Sequence, residues 1–139
     1  MTRMELIELD EGRADWLPYA PAVKVPSGSE YVFLSGAVGA DDDGVFPDDI
    51  AEQTRIVMRR HTESLAANGL TWDDVLHVYD FLTDMRDFVE VFTVMDEFTQ
   101  ASGAAWRHAN TLIGVNGLSH PSARVEFDVI AVRPATSSS

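Results

Sequence analysis

The sequence predicts an α+β domain: a mixed sheet of four to six strands with two helices on one face, assembled as an obligate oligomer. Three observations carry this. The order of elements reads strand, hairpin, helix, strand, helix, hairpin, and two helices against such a sheet cover one face only. The stretch Val75 to Leu82 is apolar on both faces, Leu76, Val78 and Leu82 against Val75, Tyr79 and Phe81, and such a strand is covered on both sides. Copies of the same chain in a closed ring are the simplest cover for the second face. The third observation is Arg107 to Arg133, around which the chain is organised and which reads as two strands joined by a turn. Leu112 and Val115 flank Gly114 in the first. In the second, Val125, Phe127, Val129 and Ala131 share one face, and Glu126, Asp128 and Ile130 the other. Two carboxylates on one face of an interior strand mark either a wet rim or a polar pocket.

The elements follow in order. Met4 to Leu9 alternates weakly, as a short first strand. Leu17-Pro18-Tyr19-Ala20-Pro21 is extended, because a residue before proline is pushed out of the helical region. Tyr19 there is either a packed edge aromatic or a pocket hydroxyl. Ala22 to Val25 and Tyr31 to Leu34 read as a hairpin across Pro26-Ser27-Gly28-Ser29, closed by Ser35-Gly36. Gly36 and Gly39 allow a close backbone approach to a ligand or a neighbour. Asp41-Asp42-Asp43-Gly44 is a solvated turn, lacking the alternating ligand spacing of a calcium loop.

Pro47-Asp48-Asp49 opens the first helix with acids at the positive end of its dipole. Its stripe is Ile50, Thr54, Val57, Met58, His61 and Leu65, which makes His61 a core-edge residue. Asn68-Gly69 stops it. Thr71-Trp72-Asp73-Asp74 is a short capped turn. The second helix begins near Asp87, carries Phe88, Val91, Phe92, Met95 and Phe98 on one stripe, and ends before Ser102-Gly103. The expected domain is 1–133, with a flexible tail over 134–139.

Composition narrows the function. At 139 residues the chain holds a core without staples. It has no cysteine, so disulfides, thiol nucleophiles and thiolate metal sites are excluded. Histidines 61, 77, 108 and 120 show no metal-ligand spacing, and no metal is expected. A net charge of -13 argues against a nucleic-acid groove or an anionic membrane surface. One arginine in a pocket still suffices for an anionic small molecule. The opening segment has no apolar core and no run is long enough to span a membrane, so a cytoplasmic protein is expected.

From about Leu17 to Val132 the chain resembles the RidA family of reactive-intermediate deaminases (also YjgF/YER057c/UK114). The resemblance is carried by Pro18-Tyr19 with Ala22-Val23, Phe33-Leu34-Ser35-Gly36, Asp49 with Gln53-Thr54, and Ala67-Asn68-Gly69. It continues through Asp74-Val75, Phe81-Leu82-Thr83-Asp84-Met85, Asp87-Phe88, Val125-Glu126-Phe127 and Ile130-Ala131-Val132. It implies a chorismate-mutase-like (RidA-like) domain and a trimeric barrel, with clefts between subunits. It also implies cofactor-free hydrolysis of enamines and imines to ammonia and a 2-keto acid. Its catalytic tyrosine falls on Tyr19, its serine on Ser35 and its late glutamate on Glu126.

Two positions depart from the pattern. The family's carboxylate-binding arginine is replaced by Asn110 in His108-Ala109-Asn110-Thr111, and Phe92 stands where an asparagine is usual. A bidentate arginine gives a carboxylate charge-assisted bonds, whereas an amide gives neutral ones. Either Arg107 reaches the cleft to replace it, or the substrate is neutral, hydroxylated or cationic, with His108 beside it. The expectation is an enamine or imine deaminase-like enzyme in which Glu126 moves protons and Asn110 holds an oxygen. The alternatives are another acid–base reaction in the same cleft, or a trimeric ligand-binding or interaction module without turnover. The ribonuclease activity attributed to some relatives fits the acidic balance poorly.

Overall fold

The computed structural model describes residues 5–7, 19–101, 108–133 and 135. Arg107 lies outside the described residues, as does the 134–139 tail apart from Ala135. Among the described residues, six strands and two α-helices run in the order β1 (Glu5–Ile7), β2 (Ala22–Lys24), β3 (Glu30–Val38), α1 (Ile50–Ala67), β4 (Val75–Leu82), α2 (Phe88–Ala101), β5 (Ala109–Gly114) and β6 (Val125–Arg133). The main sheet is mixed, in the order β3-β6-β4-β5.

Both expected hairpins give way to longer-range pairings. β2 pairs antiparallel with β1 in a separate two-stranded sheet, and β3 pairs with β6. β5 does not pair with β6: it runs parallel to β4, while β6 lies antiparallel between β3 and β4. The reason is burial. β6 puts Val125, Phe127, Val129 and Ala131 into the core, and a strand that apolar on one face gains more at the centre of a sheet than at its edge.

The helices follow their stripes. Asp49 caps α1, its carboxylate accepting from Ala51 N, and Ile50, Thr54, Val57, Met58, His61 and Leu65 are buried. Gly69, at φ +71°, ends it in the left-handed region that a Cβ disfavours. Thr71 and Asp74 form a reciprocal capping box on the short turn before β4. Val91, Phe92 and Met95 of α2 join α1 in one core with Val78, Leu82 and Phe127. In β4 a register shift between Val75 and His77 puts Val75 on the core side with Val78 and Leu82, not with Tyr79 and Phe81 as the simple alternation predicts.

The loop before β6 is tied down at several points. Arg124 Nη2 donates to Asp87 at 2.8 Å and Nη1 to Asp48 O at 2.6 Å. Gln53 receives Arg124 N on Oε1 and donates through Nε2 to Pro47 O and Ser122 O. Gly39 packs against this residue, where a Cβ would meet Gln53 Cβ at 2.6 Å. This knot fixes Arg124, two residues before Glu126, at the entry to β6.

Phe127 is fully buried, and its carbonyl pairs with His61 Nε2 at 2.7 Å. Truncation to alanine removes a large aromatic from a close-packed centre. We expect Phe127→Ala to lose about 3–5 kcal/mol of unfolding free energy, read from urea denaturation monitored by circular dichroism.

Candidate functional site

Adjacent residues of a strand point to opposite faces, and β6 divides chemistry by that rule. Its odd-numbered residues from Val125 to Ala131 enter the core. Glu126 and Asp128 therefore stand on the face without helices, opposite Phe81 and Tyr79 of β4. Across β6 on the other side, Leu34 pairs with Val129 and Ala37 with Phe127, which leaves an extra residue in β3 at Ser35-Gly36. This bulge faces the two carboxylates. A Cβ on Gly36 would lie 2.7 Å from Asp128 Oδ1 and 2.7 Å from Glu126 Oε2, so only glycine lets them close on the backbone.

Glu126 is half-buried there. Burial raises its pKa above the usual carboxylate value, and the negative charge of Asp128 raises it further. An acid displaced toward neutrality both gives and takes protons readily. Ser35 is exposed at the bulge. Ser35 and Gly36 also line a groove of about 670 Å3 between β3 and α1, together with Phe33, Arg60, Ser64 and Asn68. The two carboxylates thus read as a polar site rather than as a wet edge, because β6 is central.

A second group forms at the start of β5. Ala20 N donates to His108 O at 2.8 Å, which brings the half-buried Tyr19 segment beside β5. His108 is buried, with Nδ1 3.0 Å from Ala109 O. Burial lowers its pKa to about 4, with the Ala109 contact opposing and His77 assisting, so the ring is neutral at pH 7. Asn110 pairs with Val78, a core residue, and so points to the helix side. There its Nδ2 donates to Asp80 Oδ2 at 2.5 Å.

The expected site residues therefore divide. Ser35 adjoins Gly36, the residue whose backbone the Glu126 carboxylate approaches. Tyr19, His108 and Asn110 cluster at the far edge of the same chain, and Asn110 lies on the opposite face of the sheet from Glu126. Phe92 is a core residue, packed edge-on against Phe88 at 6.0 Å, because α2 turns it inward on the stripe that starts at Phe88. It does not face the carboxylates. His61, expected at the core edge, is buried, and burial lowers its pKa while the Phe127 carbonyl and Asp128 oppose the shift. On the open face, His77 stacks on Tyr79 at 4.1 Å and contacts Thr111 Oγ1 at 3.0 Å.

Asp128 and Asp80 are the carboxyl groups of these two clusters that sequence reasoning weighed too little. The first was visible in the alternation of β6. The second sits in an apolar strand, where one aspartate among seven other residues carries no periodic signal.

Asp80 is wholly buried, and burial raises its pKa from 3.8 to about 8, while the Asn110 hydrogen bond pulls the other way. The folded state thus keeps a proton that the unfolded chain releases above its ordinary carboxylate pKa. Stability contributed at this residue falls as pH rises from 3.8 to about 8 and then levels off. Asp80→Asn does not titrate. Its melting temperature should match wild type near pH 4 and exceed it increasingly toward pH 8. A pH-independent difference would mean that Asp80 is charged in the fold.

The profile of the family described as Endoribonuclease L-PSP matches residues 14–133. The RutC family protein YjgH of Escherichia coli is 33% identical over 84 residues, 60% of this chain and 62% of that protein. The crystal structure of E. coli TdcF with bound serine superposes with a TM-score of 0.70 at 27% identity, covering 93% of this chain and 98% of that one. The fold is shared with YyfB of Yersinia pestis, a Rid-family structure of unknown function, at a TM-score of 0.79 and 21% identity over 94% and 98% of the two chains. With four-fifths and more of its length matched in sequence profile and fold, the chain belongs to the RidA/YjgF/YER057c/UK114 (Ribonuc_L-PSP) family.

Proposed function

We propose that the chain is a cofactor-free hydrolase of reactive enamine or imine intermediates, with Glu126 as the proton carrier. The observation that carries this reading is the Glu126 carboxyl, half-buried, shifted toward neutrality and held beside Asp128 over the Gly36 bulge. Its relative TdcF of E. coli is provisionally named a reactive intermediate deaminase, which points to the same reaction class. Glu126 takes a proton from water as the oxygen adds to the C=N carbon and returns it to nitrogen, giving a carbinolamine. It then carries the carbinolamine hydroxyl proton to the same nitrogen as the C–N bond breaks, so that ammonia and a carbonyl product leave. The Ser35 hydroxyl at the bulge is placed to hydrogen-bond the substrate. Asn110 has its amide nitrogen engaged by Asp80, so the proton chemistry is assigned to Glu126 alone.

The working unit in this reading is a homotrimer. Phe33 is 72% and Tyr31 52% exposed on the face that carries the carboxylates, and His77, Tyr79 and Phe81 lie half-buried on the same side. A face this apolar is covered in the working protein. The cleft then lies between subunits, where the Tyr19, His108 and Asn110 group of one copy meets the Ser35 and Glu126 group of its neighbour. RNA cleavage is less well supported. His61 and His108 are buried, His120 is stacked on Phe46 at 4.6 Å, and a charge of -13 repels phosphate.

The test is a coupled assay that generates 2-aminoacrylate in situ and follows keto-acid release. Glu126→Gln keeps the shape but cannot cycle a proton, and its rate should fall roughly 10²–10⁴-fold. An unchanged rate would remove Glu126 from the chemistry. Light scattering at micromolar concentration should give three times the 15.3 kDa chain mass. Phe33→Asp should shift that mass toward the monomer, and a monomeric wild type would refute the assembly.

A further inference from the structure

The proposed reaction uses one of the two carboxylates over the Gly36 bulge and leaves Asp128 without a role. Asp128 Oδ1 and Glu126 Oε2 converge on one point, each 2.7 Å from where a Gly36 Cβ would stand. Like charges held this close repel, and no lysine or arginine of the sheet offsets them. Within β3 to β6 the only basic side chains are Arg133 and His77. Arg133 is turned to Glu30 and to Asn68 O at the end of α1, and burial lowers the pKa of His77. Neither carboxylate has a hydrogen-bond or ion-pair partner among the described residues. The positions opposite them on β4 are aromatic: Phe81 pairs with Glu126 and Tyr79 with Asp128, and His77 stacks on Tyr79. Carboxylates beside aromatic rings suit a cationic nitrogen, which donates charge-assisted hydrogen bonds to the first and is attracted to the π-faces of the second. A metal ion is less well served, since no group of three metal-ligating side chains gathers among the described residues.

We infer that Asp128 is a substrate-binding residue that takes a cationic nitrogen group (ammonium, amidinium or guanidinium) carried beside the C=N bond on which Glu126 acts. Imines bearing such a group are then bound ahead of those bearing a carboxylate, which the two acids repel. The inference rests on the reading that Glu126 and Asp128 form the working site. A chain charge of -13 draws the same ligands toward the protein. Binding also has a consequence for Glu126. The groups that face it are Asp128 on β6, Ser35 and Gly36 on β3 and Phe81 on β4, and of these only Asp128 is charged. A bound cation offsets that charge and favours the ionised form of Glu126. Cation affinity therefore rises with pH through the Glu126 titration, and affinity for a neutral ligand does not.

The experiment measures affinity by NMR titration on the full chain with three probes of one shape: propanamidinium, propanamide and propanoate. Wild type should bind the amidinium about tenfold more tightly than the amide, and propanoate more weakly than either. Between about pH 5 and about pH 8 the amidinium should tighten while the amide stays constant. Asp128→Asn should weaken the amidinium about tenfold and leave the amide within about threefold. Asp128→Glu, which restores the charge, should recover most of the loss. The three-probe comparison on wild type needs no variant, so it decides the matter even if Asp128→Asn fails to fold, which circular dichroism shows. The inference is overturned if the amide binds as tightly as the amidinium, or if Asp128→Asn folds and keeps wild-type amidinium affinity. It is equally overturned if propanoate binds most tightly, which would mean that a cation such as Arg107 governs the site. These affinities involve no turnover, so they stand or fall separately from the Glu126→Gln rate that tests the proposed reaction.

Discussion

The pleat of β6 is the constraint on which everything else depends. Because β6 is flanked on both sides, by β3 and β4, every second side chain is committed to the helix-covered core. Phe127 lies at the centre of that commitment, with its side chain under the helices and its carbonyl on His61. The alternate residues are forced to the opposite face whatever their chemistry. That is how Glu126 and Asp128 come to stand together with a raised Glu126 pKa. A slip of one residue would bury both carboxylates and expose the core set. The Arg124 knot to Asp87, Asp48 and Gln53 guards against this by fixing where β6 begins.

The sheet thus has two polar features of opposite character. On the open face, the Glu126 and Asp128 pair is half-buried and next to a backbone bulge, where solvent or substrate can reach it. On the covered face, Asp80 is shut in and answered by a single amide. The first arrangement suits proton transfer, since a displaced carboxyl with access works as both acid and base. The second is costly to the fold, since a buried carboxyl gives up its hydration for one amide partner. Sequence similarity extends to YjgH and the fold is shared with TdcF.

Local sequence determined a good deal of this. The stripes of α1 and α2, the Asp49 cap, the Gly69 stop and the Thr71 capping box are all short-range matters of periodicity and hydrogen bonding within a few residues. So is the alternation of β6 that separates Glu126 from Phe127. The residues that carry the family resemblance, from Phe33-Leu34-Ser35-Gly36 to Val125-Glu126-Phe127, were legible in the same way.

Strand partners were not, because pairing is decided by which strand buries most at the sheet centre rather than by which is nearest in sequence. Proximity predicted two hairpins, and burial placed β6 between β3 and β4 instead. The same limit governs the site. Tyr19, Ser35, Asn110 and Glu126 are legible as candidates in the sequence, but only the tertiary structure decided that the Gly36 bulge meets Glu126 while Asn110 turns to the other face. Asp80 was invisible beforehand for the same reason. A lone aspartate in an apolar strand has no meaning until the parallel pairing of β4 and β5 brings Asn110 within 2.5 Å of it. Periodicity reports the face a side chain takes, and contact between distant strands reports what it meets there.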